Sequence, residues 1–404
     1  MDVEPSARPP RFDAFDPGLL VDPYPLYARL RRSPLCRGGP ATWVVTRYAD
    51  VATLLRDPRV GHAFPESLGR PERLLGARPN FRLPTIVSAI EPPDHTRLRG
   101  VMSRVLTPPR VRRTAERIRE TVDELLEPAL QTGRLDVLRD LASPLQVITT
   151  CDLVGVPVED RAEVSSRGIA LGRSLILFPF ESDELGNGEA DAAWLRGYVA
   201  DLVALRRARP ADDLVSELVA EADTTGEMSL DEVVDNVVFL FFAGFETSIH
   251  LMASGVANLL RHPDELARLR ADPDLLGTAV DELARFDAPI QWIARVTGEP
   301  VEVGGRTVRA GRMLLLLLAS ANRDERRFPD PDRIDVGRRH NAHLSFGSGI
   351  HRCMGLLLAR AQASVSLGRL LERCAELEPD GEAVVRPHPN LRGYASVPVG
   401  VRAR

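Results

Sequence analysis

Hydrophobic positions recur at helical spacing through most of the chain and at strand spacing in only a few places. Helical patterns are predicted over 24–32, 48–55, 94–106, 110–131 and 142–154, and more loosely from 158 to 222. The longest begins after Ser229, which has Glu232 three positions on, the spacing of a capping box. No proline follows until Pro263, so about 30 residues form a helix near ~45 Å long. Its middle, Val237-Val238-Phe239-Leu240-Phe241-Phe242-Ala243, is apolar on every face, which predicts a helix buried all round. Further helices are expected at 263–270, 273–286 and 356–373.

Strand signals are sparse. They comprise 43–46, a buried strand at 314–318, and a hairpin of 301–303 with 307–308 across a Gly304-Gly305 turn. Between these lie a long loop at 58–90 with short helical pieces, a polar meander at 322–350, and a proline-rich irregular arm at 1–20. The pattern predicts a mainly α fold with small β-sheets. A single domain over 1–404, built around one long central buried helix, is expected, because no linker or repeat divides the chain.

Composition narrows the chemistry. With 57 acidic and 52 basic residues the formal charge is −5, which offers no footprint for nucleic acid or an anionic membrane. Every basic residue is arginine, so Schiff-base and Walker-type lysine chemistry is excluded. The apolar runs at 237–243 and 313–319 fall short of the ~20 residues that span a bilayer. The N-terminus lacks the apolar core of a signal peptide, and a cytoplasmic protein is expected. The four cysteines, Cys36, Cys151, Cys353 and Cys374, are too widely spaced for a metal knuckle or a redox pair.

One of them sits in an unusual setting. In Phe346-Gly347-Ser348-Gly349-Ile350-His351-Arg352-Cys353-Met354-Gly355 the glycines permit close backbone approach and positive φ. Cys353 lies where this loop meets a helix, and the helix N-terminus favours a thiolate there. A thiolate is a heme-iron ligand that promotes O–O cleavage.

The ten residues resemble the heme-binding signature of the cytochrome P450 family at every defined position. The resemblance implies heme b with Cys353 as the axial ligand, Phe346, Gly347 and Gly355 against the cofactor, and His351 reaching a propionate. Glu282-Leu283-Ala284-Arg285 resembles the family's Glu-x-x-Arg helix, whose two side chains share a face and are buried against the meander, here near 333–338. Ala243-Gly244-Phe245-Glu246-Thr247 resembles the oxygen-binding motif. There Ala243 and Gly244 leave room beside the heme, Thr247 bonds back to the carbonyl four residues earlier, and Glu246 relays protons. His95 and Arg99, at i and i+4, and Arg295 match propionate positions, and Arg97 lies in the same segment.

The resemblance runs from Asp22-Pro23-Tyr24 to Val397-Pro398 and implies a monooxygenase that activates dioxygen to hydroxylate, epoxidise or couple a lipophilic or aromatic small molecule, in secondary metabolism. The alternatives are a peroxide-driven peroxygenase and a non-catalytic heme-binding or helper protein. Electrons are expected from a separate ferredoxin and its reductase, docking on Arg104, Arg110, Arg112, Arg113, Arg352 and Arg360. A monomer is expected. Substrate contacts are expected from Phe81, Ile86, Phe239, Ala243, Ile293 and Tyr394, with Phe64, Phe178 and Phe180 adding apolar bulk.

Overall fold

The computed structural model describes residues 10–39, 41–62, 83, 85–175 and 188–404. The chain forms two compact units.

The first unit comprises Met1–Pro71, Asp281–Cys353 and Val385–Gly393. Its centre is a five-stranded sheet in the order Leu35–Arg37, Thr42–Val45, Met313–Leu316, Ile293–Thr297, Val60–Gly61. Thr42–Val45 and Met313–Leu316 run parallel, and the remaining pairs are antiparallel. All four residues of Met313–Leu316 are buried, as a central strand requires. The leucine run predicted a strand to 318, but Leu317 turns the chain and Leu318–Ala321 is one helical turn. The Leu317 N–H still donates to Val45, whereas Ala319 donates to the Gln291 carbonyl outside the ladder. The hairpin Val301–Val303 with Arg306–Val308 forms as expected, with Gly304 and Gly305 at φ 53° and 75°.

The second unit comprises Glu72–Val280, Met354–Val384 and Tyr394–Arg404. The central helix is Leu230–Arg261, and both hydrogen bonds of the Ser229–Glu232 capping box are present. It packs against Ser143–Val154, Arg161–Leu175 and Gly188–Ala208. Its length and hydropathy would suit a bilayer, yet 67% of its most apolar window is buried inside the protein, which marks it as a core helix. The unit also holds a three-stranded sheet, Arg134–Asp136, Pro398–Ala403 and Cys374–Pro379. Sequence patterning missed this sheet. Cys374–Pro379 buries only its first and fourth residues, which breaks the period of two, and the pairing shifts register at Arg402/Ala403. The helix Leu276–Phe286 carries the chain from the second unit into the first.

Candidate heme-thiolate site

In the first unit the cysteine loop closes on itself. The Cys353 N–H donates to the Phe346 carbonyl at 2.9 Å, the Gly347 N–H to Leu344 at 2.8 Å and the Arg352 N–H to Gly349 at 3.2 Å. Gly347 and Gly349 take φ of 67° and 72°, which other residues resist. A Cβ on Gly349 would stand 2.3 Å from the Leu55 carbonyl oxygen, so this glycine is also required by contact. Gly355 does not share that reason, because its φ is −78°. Gly349–His351 is a single 3-10 turn, and the His351 ring meets His62 edge-on at 4.7 Å. Arg56 Nε donates to Ser348 Oγ at 2.8 Å, fixing the loop from outside.

Exposure separates the cysteines. Cys36, Cys151 and Cys374 are buried and Cys353 is exposed. Burial pushes the Cys36 and Cys151 thiols up to about 12 and raises that of Cys374 as well. These three are held as neutral thiols, and Cys353 alone is open to a ligand.

Behind the loop stands the Glu-x-x-Arg pair. Glu282 and Arg285 are both fully buried. Arg285 Nε and Nη2 donate to the two Glu282 oxygens at 2.7 and 2.8 Å, a forked bond. The guanidinium also donates to the carbonyls of Asn322, Pro331 and Arg333. Glu282 further accepts from Arg338 Nε, Asn341 Nδ2 and the Asp335 N–H. The meander therefore meets the pair over 331–341, somewhat wider than the 333–338 that was expected. The connection runs on to the loop: Asn322 Oδ1 accepts from the Leu344 N–H, its Nδ2 donates to Ser345 Oγ, and Ser345 Oγ donates to the Ala284 carbonyl. Asn322 belongs to Asn322-Arg323-Asp324, a triplet that resembles the family's meander, whereas Ser345 carries no such signal in the sequence. Ile334 of the meander is fully buried.

In the second unit the oxygen-motif segment is helical throughout. Thr247 Oγ1 donates to the Ala243 carbonyl at 3.1 Å, the expected back-bond. Glu246 is buried. The expectation of burial on every face is corrected in one respect. Phe239, Leu240, Phe242, Ala243, Gly244 and Thr247 are only half-buried, and all but Phe242 fall on one arc of the helix. Opposite them, Phe241 and Phe245 stack at 6.0 Å in the core. Gly168 allows that approach, since a Cβ there would lie 2.8 Å from the Phe245 ring.

His95 lies in the first turn of the helix Asp94–Val105 and is buried, with Arg99 half-buried one turn on. Burial, and then the Arg99 charge, hold the His95 imidazole below its ordinary range, against a smaller opposite pull from Glu91. Arg295 is buried in the strand Ile293–Thr297, where its Nη1 donates to the Ala294 carbonyl at 2.8 Å. Arg97 is engaged elsewhere, by Asp94, Glu232 and the Glu227 carbonyl.

The substrate contacts fare unevenly. Phe239, Ala243 and Ile293 are half-buried, and Phe239 and Ile293 also pack against core residues. Ile86 is 9% exposed and packs in a hydrophobic core cluster. Tyr394 is 2% exposed, and its hydroxyl accepts from Arg261, 14 residues and about 21 Å along the helix from Thr247. Phe64, Phe81, Phe178 and Phe180 lie outside the described residues. Among the docking arginines, Arg104 pairs with Glu221 and Glu227, and Arg110 is buried against Glu217. Arg112, Arg113 and Arg352 are exposed.

An exposed thiol on a loop closed by its own amide suits an iron cofactor held by sulfur. Such a thiol is the ligand that a heme-thiolate oxidoreductase requires. Comparison with known proteins agrees. The family model described as Cytochrome P450 matches residues 202–399. The chain is 36% identical over 408 residues to the cytochrome P450 monooxygenase PikC of Streptomyces venezuelae, covering 98% of this chain and 95% of that one. It is 37% identical to a vitamin D(3) 25-hydroxylase of Pseudonocardia autotrophica over 97% of both chains. The crystal structure of CalO2 superposes with a TM-score of 0.88 at 34% identity, covering 97% of this chain and 99% of that one. The protein thus belongs to the cytochrome P450 family, a family of monooxygenases that use heme with a cysteine thiolate as axial ligand.

Proposed function

We propose that Cys353 supplies that thiolate, and that the enzyme oxidises a sizeable lipophilic or aromatic small molecule in secondary metabolism. The observation carrying the first part is that, of the four cysteines, only Cys353 is exposed. When bound, heme supplies activation of dioxygen using two electrons and two protons.

The remaining work falls to side chains. The Glu282–Arg285 network holds the meander and, through Asn322 and Ser345, the start of the cysteine loop. His95, Arg99, Arg295 and His351 bind the propionates as hydrogen-bond donors, with His95 neutral at physiological pH. The Thr247 hydroxyl proton rests on the Ala243 carbonyl, which leaves the oxygen lone pairs free to accept. Glu246, buried next to it in the chain, relays protons from solvent toward Thr247. Phe239, Leu240 and Ala243 of the half-buried stripe offer an apolar surface to the substrate. A large apolar substrate accords with the kinship to a vitamin D(3) hydroxylase.

Electrons enter from a separate ferredoxin and its reductase in the cytoplasm, with Arg112 and Arg113 on the docking face. Charge reversal at both should slow ferredoxin-driven turnover, and unchanged rates at low salt would exclude that face. The Glu246–Thr247 pair favours dioxygen over a peroxide-driven reaction. The deciding test is the spectrum of the reduced protein under carbon monoxide. The red-shifted thiolate band should be present in the wild type and absent in Cys353→Ser; its absence from fresh wild-type protein would overturn the assignment.

A further inference from the structure

Three turns before Thr247 the central helix buries two polar side chains that the oxidation does not use. Asp235 is 2% exposed and Asn236 fully buried, in an otherwise apolar stretch. Burial of such groups is tolerated only when their hydrogen bonds are made. Asn236 Nδ2 donates to the carbonyls of Thr85 and Glu232, each at 2.9 Å, and its Oδ1 accepts from the Val87 N–H at 2.9 Å. Asp235 Oδ2 accepts from the Thr85 hydroxyl at 2.5 Å. Its other oxygen pairs with Arg196 of the helix Gly188–Ala208. Residues 85–87 belong to neither helix nor strand, and their position is set by these side-chain bonds. Ile86 and Val87 then bury themselves in the core.

Placement gives the pair its meaning. Asn236 is followed at i+4, i+7 and i+11 by Leu240, Ala243 and Thr247, so it continues the half-buried stripe. Segment 85–87 covers the stripe at Asn236, about 16 Å along the helix from Thr247. We propose that Asp235 and Asn236 are positioning residues that fix 85–87 as the end wall of the substrate site, and that Arg196 ties this wall to the helix Gly188–Ala208. The proposal rests on the stripe being the substrate face, as argued above. Losing one partner of a buried carboxylate is costly, so Thr85, Asp235 and Arg196 hold position together.

The test uses the holoenzyme as wild type, Asn236→Leu and Arg196→Gln. Amide hydrogen exchange at Val87 reads the wall itself, independently of heme. Titrations with imidazole and with the much longer aryl azole econazole, followed by difference spectra, read the site near and far from the iron. Asn236→Leu should speed Val87 exchange about tenfold or more, and weaken econazole about tenfold, while imidazole stays within about twofold. Arg196→Gln, at a partly exposed position, should show the same selective pattern to a smaller degree. Unchanged Val87 exchange in Asn236→Leu, or equal weakening of both azoles, would overturn the wall. Wild-type behaviour of Arg196→Gln would overturn the link to the neighbouring helix. A missing thiolate band in the wild type under carbon monoxide would count against Cys353 and the heme reading, while Val87 exchange still decides on the wall.

Discussion

Removing the Glu282 carboxylate is the sharpest perturbation of the heme-side scaffold. In Glu282→Ala the fully buried Arg285 keeps its three carbonyl acceptors but loses its counter-charge, as does Arg338. The Asp335 N–H and the Asn341 amide also lose their acceptor. Breaking a buried pair by deleting one partner costs about 3–5 kcal/mol, because an uncompensated charge stays behind. At about 2 °C per kcal/mol for a large domain, the thermal midpoint should fall by roughly 6–10 °C. The assay is thermal unfolding followed by circular dichroism, with the carbon monoxide band as a second readout. The band should fade with the midpoint, since the network ends at Leu344 and Ser345, just before the loop. Glu282→Leu combined with Arg285→Leu should cost less than the two single changes summed, because no charge is stranded. A midpoint within about 2 °C of wild type in Glu282→Ala would refute the reasoning, since it would mean the pair carries none of the expected penalty.

Other outcomes follow from particular contacts. Gly349→Ala should lose bound heme and melt earlier, because its Cβ would meet the Leu55 carbonyl at 2.3 Å with φ at 72°; strain of this kind costs about 1–3 kcal/mol. Normal heme content in that variant would show that the loop can yield. In heme-free protein at mildly alkaline pH, iodoacetamide should label Cys353 alone, as mass spectrometry would reveal, since burial keeps Cys36 and Cys151 protonated. Labelling of either before Cys353 would contradict the exposure argument. His95 is held below its ordinary range by burial and then by Arg99, so the unfolded chain binds that proton first as pH falls. Its contribution to stability is present above about pH 6.5 and is lost as pH drops through the lower folded-state value. Wild-type midpoints should therefore decline more steeply than those of His95→Gln on acidification, and parallel curves would exclude His95 as the source.

Features whose chemistry is contiguous were legible from the chain alone. The capping box at Ser229–Glu232, the Gly304-Gly305 hairpin, the Thr247 back-bond and the glycines at 347 and 349 depend on neighbours within a few residues. A one-dimensional pattern can encode such local terms, and the cysteine loop belongs with them. Tertiary structure decided what depends on distant partners. Glu282 collects donors from 53 to 59 positions away. Cys374–Pro379 is a strand because Pro398–Ala403 pairs with it, without any alternation of its own. Tyr394 is buried with its hydroxyl on Arg261, and the helix apolar on all faces leaves several residues around 239–247 half-buried. Periodicity states which residues prefer burial, but only packing determines which side chains are covered and by what. For the same reason the loop around Cys353 announced its chemistry in sequence, whereas its exposure, against three buried cysteines, was settled by the fold.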